Sequence, residues 1–209
     1  LLAWLRLIPL ALAATVLNAA LECAGMNLLP LYAINLGWRE ADATSLIAIL
    51  LLGAIVLQLP VGWLADRLNR QRLVVVLAAL STLGALVWPL ALQQLWLARL
   101  LLFVWGGVFV GIYTVMITLI GQRFRAAELA GAYAILSVGW GAGALLGPVL
   151  AGIAMSLPPP GLPLLAALLL GLFTYFAPGP ARHMVLRILP FAAYRLLSSN
   201  TSQSLSLLK

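Results

Sequence analysis

The sequence predicts an all-α membrane protein with six transmembrane helices. Of its 209 residues, 64% are hydrophobic and 8% are charged, whereas an ordinary soluble domain is about a quarter charged. Mean hydropathy is +1.11, which excludes a water-soluble globule. Proline, glycine and charge divide the apolar sequence into six runs, and at roughly 20 apolar residues per crossing the length accommodates six spans and a tail.

The first span is expected near residues 8 to 35, too long for the apolar region of a cleavable signal peptide and without a clear cleavage site. The second, near 43 to 64, lies between Arg39-Glu40-Ala41-Asp42 and Asp66-Arg67. The third and fourth, near 73 to 92 and 96 to 120, are separated by Gln93-Gln94 and followed by Arg123 and Arg125. The fifth, near 129 to 156, ends at Pro158-Pro159-Pro160-Gly161, and a short sixth, near 162 to 177, ends at Pro178-Gly179-Pro180. All six are read as helices, because in hydrocarbon the backbone must satisfy its own hydrogen bonds and no run alternates polar and apolar as a barrel strand does. Residues 178–209 are expected to form a cytoplasmic tail, either disordered or lying on the membrane surface as an Arg/Leu segment interrupted by Pro190. The Asn200-Thr201-Ser202 acceptor pattern would stay unmodified there. The chain begins with Leu1 and not Met, so it reads as a piece of a longer protein.

The formal net charge of +7 points to no nucleic-acid partner, because the arginines are scattered between apolar runs and form no single basic face. They read as topology signals. Arg6, Arg67, Arg70, Arg72, Arg123, Arg125, Arg182, Arg187 and Arg195 fall on one side, while Arg39, offset by Glu40 and Asp42, and Arg99 fall on the other. The positive-inside bias then places both termini in the cytoplasm, with a bacterial inner membrane as the expected location. One cysteine, Cys23, and one histidine, His183, leave no disulfide framework and no multi-Cys or His-pair metal site. No metal and no cofactor is expected. An intramembrane serine or metalloprotease would need a histidine within the spans, and an aspartyl protease two in-span aspartates; neither is present. The chain is therefore read as a non-enzyme.

The strongest local signal is Gly62-Trp63-Leu64-Ala65-Asp66-Arg67-Leu68-Asn69-Arg70-Gln71-Arg72, at the end of span two. Gly62 removes a side chain where a helix could approach closely. Asp66 places a carboxylate at the membrane surface, where it can cap the positive end of a neighbouring helix or hold an arginine. Plain positive-inside charge would explain Arg67, Arg70 and Arg72 but not the spacing of Gly62 and Asp66. These residues resemble the loop signature G-x-x-x-D-R-x-G-R-x-R/K of the major facilitator superfamily (MFS), found between helices two and three of each six-helix half. Asn69 replaces the usual glycine, and asparagine is the non-glycine residue most tolerant of a left-handed turn.

In span five Gly139, Gly143 and Gly147 recur every four residues, forming a flat stripe for close helix packing, and Pro148 permits a bend. The segment is similar to the family's glycine-rich fifth-helix motif ending in Gly-Pro. The resemblance covers about Leu28 to Ala177 and is closest to the C-terminal six-helix half. It implies a secondary transporter of two six-helix bundles, with the substrate near the midplane and access alternating by rocking. This chain would supply one bundle. Its expected partners are the lipid bilayer, a small-molecule substrate, and the missing six-helix half or a second copy; without one, it would be a non-transporting module.

In-span charge is scarce, which makes each such residue a site candidate. With helices one and four lining the cavity, as the resemblance implies, Glu22 is a candidate proton-coupling carboxylate or a carboxyl paired within the bundle. Arg99 is a candidate anchor for an anionic group, or a side chain snorkelling to the interface. Asn27, Gln58 and Tyr113 are polar positions deep enough to face a cavity; Gln122 is too near the surface.

Overall fold

The computed structural model describes residues 2–156 and 161–176. Among them there are seven helices and no strand: α1 (Leu2–Asn35), α2 (Glu40–Val56), α3 (Gln58–Arg67), α4 (Arg70–Ala91), α5 (Leu95–Arg123), α6 (Ala126–Met155) and α7 (Gly161–Phe176). They make six spans, because α2 and α3 follow one another through Leu57 as a single crossing. Five stretches are long and apolar enough to cross a bilayer, with the 16-residue α7 as a shorter sixth. A 16-residue helix rises about 24 Å, less than the roughly 30 Å hydrocarbon core. The expected tail lies outside the described residues.

The ends have local causes. α1 stops at a Schellman turn: Gly37, at φ 89°, allows its own N–H to reach Ile34 O and that of Trp38 to reach Ala33 O. Asn69 caps α4, its side-chain oxygen accepting from the N–H groups of Gln71 (3.1 Å) and Arg72 (3.2 Å). Asn69 therefore makes no use of its tolerance for a left-handed turn. Its φ is −66° and ψ 112°, the extended conformation that an N-cap requires. The second span, read from the sequence as one helix over 43 to 64, breaks at Leu57 and reaches Arg67. Pro60 has no N–H to offer the Val56 carbonyl four residues back, so the helical ladder is interrupted there. Pro148 does not break α6, which continues to Met155.

Packing pairs the spans in an ordered way: α1 lies principally on α6, α2 on α5, and α4 on both α5 and α7. Glycines set two close crossings. Gly143 and Gly147 of α6 face the Val16 and Ala20 carbonyls of α1, while Gly53 of α2 and Gly106 of α5 face the Phe103 and Leu50 carbonyls across the other pair. The core centres on α5. Trp105 stacks on Phe109 and meets Trp88 edge-on, both at 4.8 Å between ring centres, and its indole N–H donates to Ser81 O at 2.8 Å. Span two and span five bury the least of their surface inside the bundle. Leu59, Ile55, Val138 and Leu145 are among its most exposed apolar side chains.

Candidate functional site

The loop between α3 and α4 is assembled by the cap on α4. With Asn69 fixed, Arg70 starts α4 one turn from Asp66 at the end of α3, and its Nη2 donates to Asp66 Oδ1 at 2.9 Å. Of the two roles open to Asp66 in the sequence, holding an arginine is the one adopted. The Arg70 side chain is 17% exposed and that of Asp66 76%. An ion pair with one partner this exposed contributes about 0.5 kcal/mol or less, so it can break without a large penalty. Arg67 lies over the Trp63 ring at 4.1 Å, pairing a cation with an aromatic side chain of the type found at membrane interfaces. Arg72 contributes its backbone N–H to the Asn69 cap. Nothing in the described chain comes within 4 Å of a Cβ placed on Gly62, so the close approach that Gly62 permits is not used here.

The glycine stripe of span five is occupied by span one. Gly139 faces the Leu12 side chain, Gly143 the Val16 carbonyl and Gly147 the Ala20 carbonyl. Pro148, half-buried, follows the last of these.

Near the middle of span one, Asn18 Nδ2 donates to Glu22 Oε2 at 3.1 Å. Asn18 is 3% exposed, and its Oδ1 is buried without a partner among the described residues. Glu22 is half-buried, and no basic side chain among the described residues pairs with it. A carboxylate at this depth without a counter-charge is costly when ionised, by about 2.5–3.5 kcal/mol on insertion scales. Asn27, an expected cavity residue, is exposed and donates its side-chain amide N–H to Cys23 O at 2.6 Å.

A second polar pair joins spans two and four. Thr114 Oγ1 donates to Gln58 Oε1 at 2.7 Å, directly beside the break at Leu57, and Gln58 Nε2 is buried without a partner among the described residues. Tyr113, half-buried, is the next residue along α5. Arg99 sits at the opposite end of the bundle from the Asp66 loop, with Nη2 3.3 Å from Asp42 Oδ1 and 3.1 Å from Ser45 Oγ. Its charge is thus matched within the chain, and neither Glu22 nor Gln58 is among its partners.

Sequence reasoning missed Asn18, Thr114, Asp42 and Ser45 as partners. The i, i+4 spacing of Asn18 and Glu22 was available as a signal. The Gln58–Thr114 and Asp42–Arg99 pairs span 56 and 57 residues and needed the fold.

Residues 10–197 match the family model of the Major Facilitator Superfamily. No curated protein matches the chain.

Proposed function

The chain belongs to the Major Facilitator Superfamily and is thus part of an integral-membrane transporter, and we propose that it supplies one six-helix wall of a carrier that moves a small solute by alternating access. The observation that carries this reading is the Asp66–Arg70 pair, a weak and exposed tie between spans two and three, set in a chain matched to the family over 10–197. A tie of this size suits a contact made in one state and released in the other. In this reading Asp66, Arg67, Arg70 and Arg72 serve switching, the Gly139–Gly143–Gly147 crossing holds the bundle rigid, and Glu22, steadied by Asn18, takes up the coupling proton. Gln58 and Tyr113 face the solute.

The arginine-rich end is assigned to the cytoplasm, with both termini on that side. A second six-helix unit, another chain segment or a second copy, covers spans two and five, whose apolar faces this chain leaves open. Transport then needs both units, since a midplane site lies between them. The test is made on the full protein in liposomes, with a substrate first found by thermal stabilisation across a compound library. Asp66→Asn should slow counterflow while leaving substrate affinity within about threefold, and Glu22→Gln should abolish proton-driven accumulation while sparing counterflow. Loss of binding with normal exchange in Asp66→Asn, or undiminished proton-driven accumulation in Glu22→Gln, would refute the assignment.

A further inference from the structure

At the arginine-rich end, a polar pocket of about 470 Å³ opens between the turn joining α3 to α4 and the last turn of α5. Its polar lining comes from Asn69, Arg70 and Gln71 on one wall and from Gln122 and Arg123 on the other, with Asp66 at its edge. The Asp66 carboxylate is already held by Arg70, so the charge left uncompensated within the pocket is that of Arg123. Around it the chain places Arg67, Arg72 and Arg125, with Glu128 as the only further carboxylate of the two adjoining turns. Five arginines against two carboxylates make this end strongly electropositive.

Positive-inside topology accounts for the arginines but not for the pocket or for its amides. Gln71 and Gln122 are exposed, and among the described residues their side chains have no hydrogen-bond partner. Arg70 Nε is buried and also unpartnered. Donor-bearing side chains line the space on two walls, two of them guanidinium groups, and the space is larger than a water molecule needs. Planar guanidinium donors beside amide N–H groups match the oxygens of a phosphate group in both charge and geometry. Trp63, exposed and carrying Arg67 on its ring, lies one turn before the pocket and is a side chain of the type enriched where lipid headgroups sit.

We propose that this pocket binds a phosphate-bearing anion, with Arg123 and Arg70 facing its charge and Gln71 and Gln122 bonding its oxygens. The phosphate comes either from an anionic lipid headgroup or from the adjoining solution. Because Asp66 and Arg70 form one edge of the pocket, an anion seated there competes with Asp66 for the Arg70 guanidinium. Occupancy would loosen the tie between spans two and three. The inference does not depend on which solute is carried, nor on Glu22.

The full protein that carries this chain would be compared with Arg123→Gln/Gln122→Leu and with Arg125→Gln, which removes a charge outside the pocket. In the first arm, native mass spectrometry counts retained phosphatidylglycerol against phosphatidylcholine. In the second, inorganic phosphate is set against chloride at equal ionic strength in thermal unfolding. The expected result is preferential retention of phosphatidylglycerol, or stabilisation by phosphate, that falls at least about fivefold in the pocket variant, as the loss of a direct hydrogen bond between charged partners requires. Arg125→Gln should leave it within about twofold. Lipid retention alone assigns a headgroup, and stabilisation by phosphate alone assigns a soluble anion. Should the double variant not elute as wild type does, Gln71→Leu carries the same test. An equal loss in Arg125→Gln, or no preference in either arm, would overturn the proposal and leave the arginines as topology signals.

Discussion

A methyl group added at Gly147 has no room. A Cβ built there lies 2.5 Å from Ala20 Cα and 2.6 Å from Ala20 C, about 1 Å short of ordinary carbon–carbon contact. The obstacle is backbone, which cannot rotate away, so Gly147→Ala must push α1 and α6 apart. A gap of 0.5–1 Å forfeits about a quarter to a half of the dispersion attraction across the contact, and overpacking of this kind typically costs about 1–3 kcal/mol. Gly141 and Gly152, on the same helix, have nothing within 4 Å of an added Cβ. They provide an internal control for any change in helix propensity, which by itself would favour alanine. The assay is equilibrium unfolding of the purified protein in mild detergent, by denaturing-detergent titration or steric trapping. Gly147→Ala should lose about 2 kcal/mol, while Gly141→Ala and Gly152→Ala stay within about 0.5 kcal/mol of wild type. If all three variants behave alike, the close crossing of spans one and five is not what holds this side of the bundle.

Other consequences can be measured independently. In a Cys23→Ser background, cysteines placed at Asn69 and Gln93, both exposed and at opposite ends of α4, should label from opposite sides, the first from the cytoplasm; the reverse labelling would invert the proposed orientation. Asn69→Ala should cost about 1 kcal/mol through loss of the α4 cap, and Asn69→Gly only a few tenths; a gain in stability with glycine would mean that a left-handed turn is wanted there after all. The Asp42 and Arg99 side chains are 33% and 40% exposed, so a double-mutant cycle with Asp42→Asn and Arg99→Gln should give a coupling of about 1 kcal/mol or less. A coupling several times larger would show that the pair is desolvated in the membrane.

The number and helical type of the spans were legible because hydrocarbon leaves the backbone one solution per crossing, so apolar run length converts directly into helices. The polar partnerships were less legible. Arg99 reads from sequence as a lone in-span charge, yet Asp42, assigned to offset Arg39, turns to it from the start of α2. Gln58 and Tyr113 read as separate cavity positions; Thr114, bonded to the first and next in the chain to the second, is a residue whose hydroxyl can equally bond its own helix, as it also does with Val110 O at 3.3 Å. Asn69 was read through backbone freedom when its side chain decided the matter. In each instance the residue type suited two roles; a distant helix chose between them for Arg99 and Gln58, and the first turn of α4 chose for Asn69.

The glycines show the same limit from the packing side. Gly139, Gly143 and Gly147 were visible because they repeat every four residues, but Gly53 and Gly106 form an equally close crossing with no repeat to reveal it, since the glycines are divided between the two helices, Gly53 on α2 and Gly106 with Gly107 on α5. Divided into two three-span halves, the chain relates span one to span four, span two to span five, and span three to span six. Under that relation the α1–α6 crossing maps onto the α5–α2 crossing, and the α4–α7 contact maps onto itself. The two glycine crossings thus occupy corresponding places in the two halves, one built as a stripe on a single helix and the other shared between two. The helix break at Leu57 lies within the second joint, where Gly107 faces the Leu57 side chain and Gly53 O, and the corresponding span five passes through Pro148 unbroken. The two joints thus differ in build: the ladder of span two is interrupted at Leu57, whereas that of span five is continuous, so a bend costs less on the side of span two.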